Sequence, residues 1–255
     1  MATATVLLGV KKLMMQGMHS EAMRACEMVS RMDDVEIGPT CGFEPALAAF
    51  MLAEKFTTGY PEAKLEKSIP KAAKYCLRCV NFVRSKWTQQ AESVVAPELL
   101  KQAVMISGTS AANLCAWILG GELSVASSSE QLMTEVKKMI VDVAEEQWIK
   151  FQENPLARAT AKFSRMGLGA TNVCCGVWAK DNGEKEKAIE FWKRAIEGGS
   201  KGGYGVDWRS KAMICWKGLY ENKEEGERVV NAFVEESEPK CLFCKSQGSD
   251  EKPLQ

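Results

Sequence analysis

Ten cysteines and one histidine bound the chemistry open to this chain of 255 residues. The cysteines include two CxxC pairs, Cys76/Cys79 and Cys241/Cys244. Two such pairs can bind zinc through four thiolates. The first pair falls inside a helical pattern, however, and the second lies near the far end of the chain, so a shared metal is disfavoured. A thioredoxin-like redox role needs a βαβ setting, and no strand pattern surrounds either pair. Cys241 and Cys244 lie between Lys240 and Lys245 and flank Leu242 and Phe243. That setting suits a thioester-linked lipid; an inert, exposed pair is the competing reading.

His19 is the histidine that a Ser-His-Asp or Cys-His unit would have to use, and its place between two helical patterns predicts an exposed turn residue. Asp33-Asp34-Val35-Glu36 could suggest an acidic metal motif, but it has no second copy and reads better as a helix end before Gly38-Pro39. Arg158, Lys162 and Arg165 recur at i, i+4, i+7, one stripe of a helix that could hold an acidic peptide or a phosphate. A solvated face is the plainer explanation of that stripe. The run GGSKGGYG from Gly198 lacks the Gly-Lys-Ser/Thr ending of a phosphate loop and follows no strand, so it reads as a connector. These patterns assign no catalytic residue, metal ligand or cofactor.

Composition narrows the class further. Lys+Arg and Asp+Glu number 33 each, so the basic excess of a nucleic-acid binder is missing. A hydrophobic fraction of 46% can fill a core, and 26% charged residues is ordinary for a soluble chain. The Asn182-Gly183 pair sits between helical patterns rather than alternating strands, and the prolines fall mostly between helices, so the fold class is all-α. The start, MATATVLLGVKK, has no basic region before its apolar run and makes a poor signal peptide. Free thiols packed as small hydrophobes in a reducing, cytoplasmic setting are therefore expected.

The elements follow in order. Residues 2 to 17 read as a helix broken by Gly17, and a second opens at Ser20 with Met18, Met28 and Met32 as a stripe read as core. Residues 43 to 57 form a third, with Pro45 tolerated in its first turn. Another starts at Ser68-Ile69-Pro70 and runs to about Trp87. From Gln102 to Gly121 no residue is charged, which approaches a membrane span in length. Gly108, Ala112, Ala116 and Gly120 line up there as a small-residue seam, and a central buried helix is the favoured reading over a span. Ser127-x-x-Glu130 reads as a capping box that opens a helix to about Phe151, with Leu132, Val136, Met139, Val143 and Gln147 inward. Pro155 opens the next helix, which Gly167 and Gly169 are expected to interrupt. Trp208 to Tyr220 and Glu224 to Glu236 form a last hairpin, and residues 237–255 a disordered tail.

The clearest unit is Val173 to Gly198, two short amphipathic helices around Asp181-Asn182-Gly183. Ala188, Trp192 and Ala195 share one face of its second helix, and such a face needs a neighbouring hairpin to bury it. With Gly176 in the first helix and Gly183 at the turn, this hairpin resembles the tetratricopeptide repeat, a helix-turn-helix unit of about 34 residues. It departs from that pattern at Ala179, where an aromatic is usual, and in having no proline after Gly199. Gly17, Glu21 and Ala22 resemble the same unit, with Cys26 in place of a larger residue. Gly226, Val230 and Phe233 repeat the spacing in the last hairpin.

The resemblance implies one domain over residues 1–236, built as a right-handed solenoid of stacked antiparallel hairpins. It implies an interaction adaptor, or a subunit of a larger assembly, that holds a partner peptide or helix in a concave groove. A helical enzyme or small-ligand carrier with a pocket beside residues 102–121 is the second reading. A membrane-associated scaffold, held by that helix or by the Cys241/Cys244 tail, is the third.

Overall fold

The computed structural model describes residues 2–32, 43–89, 97–153, 164–199 and 206–237, and they are helical almost throughout. In chain order the helices are α1 (Ala2–Met15), α2 (His19–Arg31), α3 (Glu44–Thr58), α4 (Ile69–Gln89) and α5 (Pro97–Leu119). They continue as α6 (Glu130–Glu153), α7 (Ser164–Asp181), α8 (Lys185–Gly198), α9 (Trp208–Lys217) and α10 (Lys223–Ser237). A short 3₁₀ turn, Pro61–Ala63, lies between α3 and α4. No strand occurs among the described residues beyond the isolated bridge between Tyr60 and Leu65. The chain is therefore all-α.

Two of the helix ends are closed by the same device. Gly17 and Gly183 have φ of 76° and 81°, a left-handed conformation that glycine adopts without a Cβ penalty. After α1 the amide of Met18 donates to the Leu13 carbonyl and that of Gly17 to Met14. After α7, Glu184 donates to Ala179 and Gly183 to Lys180. Both are the double hydrogen bond that satisfies the last helical carbonyls and turns the chain back on itself. They fall at the two places where the sequence signals a helical hairpin. At the other end of the chain, Asp207 accepts the Ser210 amide at 3.1 Å to start α9, and Asn222 accepts the Glu224 amide at 2.9 Å to start α10.

Each helix packs on its sequence neighbours, and the odd-numbered ones also pack on one another, α1 on α3, α3 on α5, α5 on α7 and α7 on α9. The middle departs from a regular hairpin order. α5 touches α6 only slightly and lies mainly between α4 and α7, while α6 rests on α7. Its window Gln102–Leu119 is long and apolar enough to cross a membrane, yet 56% of it is buried against other helices.

α7 sits at the centre, against α5, α6, α8 and α9. Residues 167–176 are buried without a break, so this helix has no solvent face along that stretch. Its glycines make that possible. A Cβ at Gly167 would lie 3.1 Å from the Gly108 backbone of α5, and one at Gly169 would lie 3.0 Å from Trp208 of α9. The expected break at Gly167 and Gly169 is therefore wrong: α7 runs through both from Ser164. The helical cost of glycine, about 1 kcal/mol each, is offset by the close approach that its missing side chain permits.

Three other expectations also need correction. Ser127 does not cap α6; it hydrogen-bonds within the preceding turn, and Ser129 Oγ accepts the Leu132 amide at 3.2 Å instead. The Met18–Met28 stripe is not core, since Met28 is 67% exposed and Met23 is the methionine that turns inward. The inward face of α6 holds Val136, Met139 and Val143 as expected, with Met133, Ile140 and Ala144 added; Gln147 also turns inward, its Oε1 buried beside Gly167 of α7, and Leu132 stands only at the edge.

Trp192 is 0% exposed, as are Ala188 and Ala195 beside it on α8. Its indole fills the space over Gly176 of α7, where a Cβ would come within 2.3 Å of Trp192 Nε1. Gly176→Ala gains about 1 kcal/mol of helix propensity but overpacks this contact at about 1–3 kcal/mol. Urea unfolding should show a net loss, whereas Gly9→Ala in α1, with nothing within 4 Å of the new methyl, should be neutral or stabilising.

Candidate functional site

The structure gathers the cysteines into buried clusters. On α4, Cys76 and Cys79 are one turn apart on the same inward face, and both lie against the Ser110 hydroxyl of α5. Across the α5–α7 contact, the thiols of Cys115 and Cys174 hydrogen-bond to each other, with Cys175 beside them. Burial raises Cys76, Cys79, Cys115 and Cys175 by disfavouring the thiolate. Cys79 is pushed up to about 12, Cys175 to about 12 and Cys26 to about 11, while Cys76 and Cys115 are raised as well. A neutral buried thiol is neither a nucleophile nor a metal ligand. Among the described residues no group of three or more His, Cys, Asp or Glu side chains is placed to hold a metal ion.

His19 is not the exposed turn residue expected of it. It is half-buried at the start of α2, with Nδ1 2.7 Å from the Tyr60 hydroxyl and its ring edge-on to Tyr60. Lys55 Nζ lies 4.1 Å from the centre of the Tyr60 ring, and Ser20 Oγ donates to the Ala63 carbonyl at 3.5 Å. These contacts tie the start of α2 to the turn that follows α3.

Arginines hold α6 from both sides. Arg84 of α4 donates Nε to Glu146 Oε2 at 3.1 Å and Nη2 to Asp142 Oδ2 at 3.3 Å. Arg194 of α8 donates Nη1 to Glu145 Oε1 at 2.9 Å while its guanidinium lies over Trp148 and Phe191. Sequence reading does not find these pairs, because each links residues far apart in the chain at positions that look like ordinary solvated helix faces.

No family model, no curated protein and no solved structure matches this chain. The chemistry must therefore be read from the residues. Of the stripe Arg158, Lys162 and Arg165, only Arg165 falls among the described residues; it stands half-buried in the first turn of α7. Arg158 and Lys162 lie outside them, as do Cys241 and Cys244, the acidic run at Asp33 and most of the Gly-rich connector. The described surface offers instead a set of exposed apolar side chains: Leu8, Met15, Met28, Val125, Val141, Ile149, Val206 and Ile214 among them. Single exposed hydrophobics are normal, but those that share a helix face with unpaired charge suit binding.

Two outcomes check this geometry. The raised thiols stay protonated in the folded chain and ionise near 9.0 when unfolding exposes them. The unfolded state then binds fewer protons, so stability is complete below pH 9 and is lost as pH rises toward 11–12. Urea unfolding under reductant should show it falling by up to about 1.4 kcal/mol per pH unit for each buried thiol. For the arginine bridge, a double-mutant cycle of Arg194→Ala and Glu145→Ala should give a coupling of about 0.5–1 kcal/mol that shrinks in molar salt.

Proposed function

We propose that the chain is a stack of helical hairpins, similar to a tetratricopeptide solenoid, that acts as an interaction adaptor or as a subunit of a larger assembly. The observation that carries this reading is the order of packing. Every odd-numbered helix from α1 to α9 touches the next odd one, as do the even helices α4, α6 and α8 at fewer places. An odd layer continuous from α1 to α9, with an even layer continuous over α4, α6 and α8, fits stacked hairpins. The weak α5–α6 contact is a local departure in which α7 serves as the partner of both helices. The buried Trp192 over Gly176 and the two matching glycine turns support the same reading.

Protein binding is favoured over catalysis by what the described residues bring together. Six of the seven described thiols are buried, and the imidazole is engaged by Tyr60. A stacked surface, by contrast, offers long helix faces to an extended or helical segment of another protein.

Affinity capture of the full-length chain from its native source, followed by mass spectrometry, tests the reading. A stoichiometric protein partner that survives washing is the expected result. A lone chain that carries only a small molecule would support the carrier reading in its place. Release from a membrane pellet by hydroxylamine would point to a lipid thioester and a scaffold.

A further inference from the structure

The three most exposed large apolar side chains among the described residues, Met15, Leu8 and Met28, all belong to the hairpin of α1 and α2. Leu8 and Met15 stand on one stripe of α1, 69% and 81% exposed, with Lys11 and Lys12 exposed between them at i+3 and i+4. Met18, 42% exposed, follows in the turn. The opposite side of α1 makes the core contacts, through buried Val10 and half-buried Leu13 and Met14. α1 begins the odd-numbered row and packs on α2 and α3, so no described element covers its outer stripe. The helix carries no carboxylate, and neither lysine has an ion-pair partner among the described residues. On α2, Arg31 is paired with Glu27 and exposed Arg24 offsets exposed Glu21, so the two lysines leave the hairpin cationic.

We propose that the outer stripe of α1 docks on the surface of an anionic lipid bilayer. Leu8 and Met15, with Met18 beyond them, would enter the boundary between headgroups and acyl chains. Lys11 and Lys12 would lay their stems along that boundary and keep their ammonium groups at the phosphates. The chemistry of the stripe selects this occupant. Apolar side chains exposed to this degree are knobs rather than a pocket for a peptide's anchor residue, whereas a fluid interface closes around protruding groups. A second copy docked antiparallel by the same stripe would set lysine against lysine. A helix with lysines and no carboxylate is complementary to a surface of negative lipids. This contact differs from a membrane-spanning use of α5, because α1 lies along the surface while the apolar window of α5 stays packed in the fold. It stands independently of the adaptor reading.

The test is co-sedimentation of the full chain, under reductant, with vesicles of phosphatidylcholine and phosphatidylserine in equal parts. Wild type should pellet with them, less so as salt rises, and should stay in the supernatant with vesicles of phosphatidylcholine alone. Leu8→Ser with Met15→Ser, and Lys11→Glu with Lys12→Glu, should each lower the partition coefficient about tenfold or more. Ile214→Ser on α9 should leave it unchanged, and circular dichroism should show every variant folded. Failure of wild type to bind, or equal binding to both kinds of vesicle, overturns the proposal. Binding by the α1 variants equal to that of wild type also overturns it, and moves the contact to α5 or to the Cys241/Cys244 tail. Sedimentation velocity tests the other occupant: a wild-type dimer that Leu8→Ser with Met15→Ser abolishes assigns the stripe to a second copy and overturns the proposal as well.

Discussion

A helix with no solvent face must be given neighbours on every side, and α7 is such a helix. Between Gly167 and Gly176 every residue is buried. The backbone satisfies itself, and the polar side chains turn back onto it. Thr171 Oγ1 donates to the Gly167 carbonyl at 2.9 Å, and Asn172 Nδ2 to that of Leu168 at 2.9 Å. What remains is a rod narrow enough for α5, α6, α8 and α9 to approach together. Glycine supplies the narrowness at Gly167, Gly169 and Gly176, and Trp192 fills the space over Gly176. An interior of this kind is close-packed rather than fluid, so a single added methyl is felt.

The rest of the architecture follows from that demand. Small and thiol side chains gather where helices cross closely, as Cys115 and Cys174 do between α5 and α7. Larger charged residues are displaced to the rim, where Arg84 and Arg194 hold α6 between α4 and α8. The thiols are thereby packing groups. Six of the seven described cysteines are buried, which suits a small, polarizable side chain at crowded crossings.

Much of this was legible in the chain, for identifiable reasons. The face of Ala188, Trp192 and Ala195 and the Gly183 turn are local signals, and both stand where the spacing puts them. Of the small-residue seam, Gly108 and Ala112 are buried and Gly108 meets Gly167, while Ala116 is half-buried and Gly120 lies exposed past the end of α5. Gly167 and Gly169 misled because a glycine's helical cost is local, while the packing that offsets it comes from α5 and α9. Met28 misled because period alone does not say which side of α2 faces inward. His19 and the arginine bridges were hidden because their partners lie on other helices. The stripe at Arg158 and the tail cysteines fall outside the described residues, apart from Arg165.

If burial of α7 organises the fold, its amides should be the last to exchange. Native-state hydrogen exchange followed by mass spectrometry measures this directly. Residues 168–176 should exchange only through global unfolding, together with the facing turns of α5 and α8, while α1 and α10 exchange far sooner. Exchange of the α7 amides as fast as those of α1 would contradict the central place given to this helix, and with it the packing described around it.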